Sequence, residues 1–165
     1  LYFDATEAPA GIEQHVAAAM RFLPDPELEP YVLWLGDDFF VLPQALAALQ
    51  TALDVPDKRV ALVSGYRPPW AQPHADQRGL PAHVDRMRHT SVAGLVRTEL
   101  LLGAVERVRT QPRDSAGRRV SWDNAVWHLA GEQGETMLQV RPDVCVHLGL
   151  LGKHSIMNPP MPAGN

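Results

Sequence analysis

Residues Tyr31 to Leu35 read YVLWL, and two adjacent aspartates, Asp37 and Asp38, follow after a single glycine. A short apolar and aromatic run of this kind predicts a buried strand. Neighbouring carboxylates repel each other, so a fold that keeps them between this strand and Phe39-Phe40 has to compensate their charge. A solvated turn with a helix cap is one way to do so. A divalent cation such as Mn²⁺ or Mg²⁺, held by oxygen ligands, is another. The end of a strand in an open α/β sheet is also where such folds bind ligands.

The chain on either side alternates in type. Leu1 to Phe3 predicts a short strand, and Ile12, Val16, Met20 and Leu23 share a helical face that Pro24 and Pro26 end. Pro43 opens a helix expected to turn Leu46, Leu49 and Leu53 inward. Strands are predicted over Arg59 to Ser64, Ser91 to Val96, Thr136 to Val140 and Val144 to His147. Helices are predicted over Thr98 to Val108 and from a Ser121 cap to about Ala130, with Gly131 or Gly134 ending the second. Strands alternating with helices indicate an α/β layered domain. Gly65 to His89, rich in Pro, Arg and His, predicts a long surface loop, too polar for core. The spacing of His74, His83 and His89 in it matches no usual zinc pattern. One domain is expected over 1–157, with 158–165 (NPPMPAGN) as a disordered tail.

Composition narrows the function classes. A chain of 165 residues, 45% hydrophobic, suits one domain with a real core. No run approaches the roughly 18 apolar residues of a membrane span. A net charge of -4 argues against a nucleic-acid partner, which calls for a basic face. Of the 15 basic residues only Lys58 and Lys153 are lysine, the mark of a GC-rich genome rather than of phosphate binding. Cys145 is the single cysteine, flanked by Val144 and Val146. No internal disulfide can form, and a buried inert thiol in a reducing, cytoplasmic setting is the expectation. The opening LYFDATEAPA has neither the basic start nor the apolar core of a secretory signal.

Two further segments carry chemistry. In VSWDNAVWHLAGEQG, Asp123 falls in the first turn of the predicted helix. A carboxylate there is ordinarily stabilised by the helix terminus, and the functional alternative is a general base for an incoming hydroxyl. In VRPDVCVHLGLLGKHS, His147 ends a strand and is followed by Gly149, Gly152, Lys153, His154 and Ser155. Glycines let backbone amides approach an anion, and Lys153 is placed to meet a diphosphate. The spacing is not that of a Walker A loop. His147 is either a structural strand-end residue or an imidazole ligand to the same metal as Asp38.

The order of these signals resembles GT-A fold glycosyltransferases. The resemblance runs from about residue 1 to residue 155: the strand ending in acidic residues, the Pro-led helix, "VSG", "GLVRTELL", and the two segments above. The final third is similar to the N-acetylglucosaminyltransferase I group, in which a "WDD" segment precedes an "RPE" strand and a "GxxGxS" turn. The counterparts are Trp122-Asp123-Asn124, Arg141-Pro142-Asp143 and Gly149 to Ser155. The resemblance implies an α/β GT-A fold, Rossmann-like, with a mixed sheet flanked by helices. It also implies an incomplete amino terminus, because LYFDATEAPAG matches the third strand and its loop, so two strand–helix units are expected to be missing.

By the same resemblance, Asp38 is the metal ligand, His147 a further ligand and Asp123 the base of an inverting transfer. A nucleotide-sugar donor and a hydroxyl acceptor are then the substrates, with Mn²⁺ or Mg²⁺ as cofactor. Asp37, Lys153, His154 and Ser155 would hold the nucleotide, and Tyr66, Arg67 and Trp70 the sugar. Gly36 departs from the pattern, which usually has an acidic residue there. Two other functions stay open on the residues: a metal-dependent nucleotidyltransferase or phosphohydrolase using the same aspartates, and a non-catalytic binding module that kept the fold.

Overall fold

The computed structural model describes residues 25–36, 39–55, 59–68, 79–87, 93–111, 115–117, 120 and 122–148. The strand expected at 1–3, the helix expected over 12–23 and the tail at 158–165 lie outside them. The described elements are β1 (Tyr31–Leu35), β2 (Phe39–Val41), α1 (Ala45–Thr51), β3 (Val60–Ser64), β4 (Val84–Arg86), β5 (Ala93–Arg97), α2 (Thr98–Thr110), α3 (Trp122–Glu132), β6 (Thr136–Val140) and β7 (Cys145–His147). This is an α/β protein. A five-stranded mixed sheet has the order β1-β5-β3-β6-β4, and β2 and β7 form a separate two-stranded sheet. Among the described residues no helix is long and apolar enough to cross a membrane.

Strand directions decide where the ends of the sheet fall. β1 and β3 each run antiparallel to β5 between them, and β6 runs parallel to β3. The carboxyl ends of β1, β3 and β6 therefore share one end of the sheet. Asp37–Asp38, Gly65–Arg67 and Arg141–Asp143 follow those three ends in sequence.

Successive strand residues point to opposite faces, and the core divides accordingly. Leu62, Val96 and Met137 pack with Leu100, Leu101 and Ala104 of α2 and Ala125, Val126 and Ala130 of α3. Their strand neighbours Val63, Leu95 and Leu138 pack on the other face with Ala45 and Leu49 of α1 and Cys145 of β7. Burying Leu49, Leu100 or Leu101 completely contributes about 2 kcal/mol each.

Two expectations are corrected. Leu49 is buried as expected and Leu53 packs partly buried against the same cluster, but Leu46 is 48% exposed, and Ala45 and Ala52 complete the inward face. Alanines on that stripe let a helix of seven residues lie close to the sheet, and Leu46 stands about one residue's rotation away from it. The polar stretch 65–89 is not all loop, because Val84, Asp85 and Arg86 form β4 on the edge of β6. Val84 and Asp85 are buried there, and the Asp85 charge meets Arg141 Nε at 2.7 Å. A paired carboxylate can enter a sheet that an unpaired one could not.

The opposite end of the sheet is held by charge. The Arg97 side chain is 6% exposed, and its guanidinium lies 2.6 Å from Glu135, which is 2% exposed, and 3.0 Å from Glu99. It also donates from Nη2 to Gln133 Oε1 at 2.9 Å. Arg59 reaches the same two carboxylates, Glu99 at 2.7 Å and Glu135 at 3.2 Å. Gly134, at φ 64°, takes the left-handed turn that brings the chain out of α3 to this corner. One buried cluster thus ties the end of β5 to the start of β6.

Truncating one partner of a buried pair strands the other charge. Glu135→Ala is expected to cost about 3 kcal/mol or more in urea unfolding. Glu106→Ala removes the exposed pair with Arg109 and is expected to leave the urea midpoint in place.

Candidate functional site

The pairing of β2 with β7 assembles the site. Their antiparallel register sets Phe39 opposite His147 and Val41 opposite Cys145. Phe39 is the residue that directly follows Asp38, so the same register carries His147 to the carboxyl end of β1. Phe39 N–H donates to Gly36 O at 3.3 Å, which joins the described residues on either side of the aspartates. Tyr66 completes an aromatic group. Its ring centroid lies 5.3 Å from Phe39 in an edge arrangement and 5.6 Å from His147, while Phe39 and His147 are 4.8 Å apart. Such tilted and edge contacts fix ring orientation. His147 is an exposed residue in this group.

What brings Tyr66 there is the backbone of Gly65. Its carbonyl accepts from Val144 N–H at 2.8 Å and from Cys145 N–H at 2.9 Å, and its N–H donates to Ala93 O at 2.8 Å. The approach leaves no room for a side chain, since a Cβ on Gly65 would lie 2.7 Å from Cys145 Sγ and 2.9 Å from Val144 Cγ2. Ser64 then sets the turn. Its hydroxyl donates to Tyr66 O at 2.7 Å and accepts from Tyr66 N–H at 3.2 Å.

Asp143, which the sequence reading carries only within Arg141-Pro142-Asp143 and with no role of its own, is a further member. Its carboxylate accepts from Arg67 N–H at 3.2 Å and from the Gln139 amide at 2.9 Å. Gln139 is 1% exposed at the end of β6 and stands beside Asp85 in the β4–β6 register. The available signal was an inward-facing Gln near the end of an otherwise apolar strand, two residues before Arg141-Pro142-Asp143. Arg141 serves this corner too, donating from Nη2 to Ala82 O at 3.0 Å beside its pairing with Asp85.

The remaining site residues fall into two groups. Asp123 lies in the first turn of α3 and accepts a hydrogen bond from Asn124 N–H at 2.9 Å. α3 packs on the face of the sheet opposite the aromatic group. The structure thus brings Tyr66 and His147 together, ties the Arg67 main chain to Asp143, and sets the helix of Asp123 across the sheet from the aromatic group. Asp37, Asp38, Trp70, Lys153, His154 and Ser155, and the Ser121 cap, lie outside the described residues. Among the described residues no three His, Cys, Asp or Glu side chains form a metal-binding group. By chemistry, two carboxylates and an imidazole form a donor set that suits Mn²⁺.

Cys145 is buried beneath the site. Burial pushes its thiol above the ordinary range, and the nearby Asp143 charge adds to the rise. The thiolate is disfavoured, so this cysteine is packing rather than a nucleophile.

The chain matches no protein-family model and no curated protein.

Two outcomes test this arrangement. Gly65→Ala is expected to lose about 1–3 kcal/mol of stability in urea unfolding, because the new methyl meets Cys145 and Val144. Iodoacetamide at neutral pH is expected to modify Cys145 slowly in the folded chain and rapidly in urea. Equal rates would contradict its burial.

Proposed function

We propose that this chain is a GT-A glycosyltransferase domain that moves a sugar from a nucleotide donor to a hydroxyl with inversion. The observation that carries the reading is the β2–β7 register, which puts His147 across from the residue following Asp38 and beside Tyr66. A resemblance resting on the order of short motifs predicts that neighbourhood for residues more than a hundred positions apart. Further support comes from the mixed sheet and from the carboxyl ends of β1, β3 and β6 meeting at one end of it.

Asp38 and His147, with Asp37, would hold the metal, whose chemistry is to offset negative charge on the departing nucleoside diphosphate. Tyr66 offers a ring face to a sugar, and Arg67 offers donors to its oxygens or to a phosphate. Trp70 belongs to the same stretch. Lys153, His154 and Ser155 balance the diphosphate. Asp123 accepts the proton of the attacking hydroxyl as its oxygen bonds to the anomeric carbon.

The test is donor binding and product analysis in the full-length protein. Asp123→Asn is expected to abolish turnover while donor affinity stays nearly unchanged. Asp38→Ala is expected to lose Mn²⁺ and donor binding together, as followed by calorimetry. Full activity in Asp123→Asn would remove the base assignment, and release of pyrophosphate or phosphate in place of sugar transfer would overturn the reaction class.

A further inference from the structure

β1 is apolar on both faces, and the sheet covers them unequally. Val32 and Trp34 pack against the cluster built with α2 and α3. The register with β5 sets Leu33 opposite Leu95 and Leu35 opposite Ala93, so both leucines belong to the other face, the one that carries α1. Leu95 and Ala93 are buried there, yet Leu33 is 42% and Leu35 38% exposed. Among the described residues α1 is the only helix on this face, and its seven residues leave the edge strand open. A layered α/β sheet normally has helices over both faces.

The sequence immediately before β1 carries a matching stripe. Ile12, Val16, Met20 and Leu23 recur at helical spacing, with Gln14 and Arg21 on the opposite side of the same helical wheel. A helix over 12–23 is about 18 Å long, and a strand of five residues is about 17 Å long. The connection is anchored at the start of β1. Asp25 O accepts from Leu28 N–H at 3.0 Å and from Glu29 N–H at 2.9 Å, which makes a tight turn. Glu29 O then accepts from the Thr98 hydroxyl at 2.6 Å, and Pro30 O from Thr98 N–H at 2.8 Å. Residues 24–30 can extend at most about 25 Å. That reach lets the chain step off the sheet by a helix diameter of about 10 Å and run back along β1.

The exposed area decides between this segment and a second copy of the chain. Two leucines, each less than half exposed, offer far less than the roughly 800 Å² that each partner in a stable dimer buries. A tethered segment needs no such area, because a short linker gives it an effective concentration in the millimolar range.

We propose that residues 12–23 dock as an amphipathic helix on the α1 face of β1, antiparallel to the strand, with Met20 over Leu33 and Val16 over Leu35. The helix closes the layer beside α1, and its docking does not depend on the reaction proposed above.

Hydrogen exchange in the full-length protein, read by mass spectrometry, tests the docking. The amides of 13–23 are expected to be protected in the wild-type protein. Leu33→Glu is expected to abolish that protection while the amides of α2 stay protected, since a position 42% exposed accepts a charge without unfolding the sheet. A second variant carries Met20→Cys together with Leu33→Cys. Under mild oxidation it is expected to form an internal disulfide in the monomer, located by peptide mapping, with the buried Cys145 left reduced. Rapid exchange over 13–23 in the wild-type protein overturns the proposal. So does protection that Leu33→Glu leaves unchanged, because the helix then rests elsewhere. A disulfide joining two chains in place of the internal one overturns it as well, and assigns the strip to a second copy.

Discussion

The site depends on one carbonyl. Gly65 O receives two backbone N–H groups, from Val144 and Cys145, and so fastens the end of β3 to the beginning of β7. The positions of Tyr66 and His147 follow from that join. β7 can pair with β2 because its start is fixed, and the pairing then sets His147 opposite Phe39. Tyr66 reaches the same two rings because it is the next residue after the joined carbonyl. The requirement is steric as well as electrostatic, since only a residue without a Cβ brings two backbones this close over the Cys145 sulfur.

Charge burial takes different forms at the two ends of the sheet. At the far end, Arg97 and Glu135 are almost wholly enclosed and held by Arg59, Glu99 and Gln133. That cluster locks β5 to β6, with its inner pair buried and Arg59 and Glu99 largely exposed around it. At the site end, buried polar groups face partly exposed partners: Asp85 against Arg141, Gln139 against Asp143. The inner member of each pair is fixed in the sheet and the outer one is within reach of solvent. An arrangement with rigid inner groups and accessible outer ones keeps a polar site ordered in the absence of its ligand.

The sequence is most legible where burial alone dictates structure. YVLWL, RVALVS and TMLQV are apolar runs bounded by polar residues, and each is a strand within a residue or so of its predicted limits. Helices α2 and α3 likewise follow from their periodicity. What escapes is structure made by pairing across sequence. β2 is three residues long and has no pattern of its own; it is a strand because β7 lies beside it. β4 reads as loop because Asp85 and Arg86 are charged, and only Arg141, 56 positions later in the chain, makes the buried carboxylate tenable. The inward face of α1 was misjudged because leucines outrank alanines by hydrophobicity, whereas close contact with the sheet selects for small side chains. In the site, Tyr66, Arg67 and His147 were legible as residue types suited to a ligand. Asp143 was not, because its role lies in two acceptors turned toward groups from different elements.

The position of Asp123 bears on how such a site would work. Its helix packs on one face of the sheet, while the Phe39–Tyr66–His147 group belongs to the other. A ligand that touches both has to lie across the end of the sheet, where the carboxyl ends of β1, β3 and β6 meet. In the proposed function the two faces would divide the chemistry: one would supply ligands for a charged leaving group, the other a carboxylate for an incoming hydroxyl. For a displacement with inversion the attacking and leaving oxygens must approach the anomeric carbon from opposite directions. A site straddling a sheet end provides opposed directions that a pocket on one face would have to build from loops. In the proposed inverting site, a ligand would have to bridge the two faces of this core to meet both Asp123 and His147.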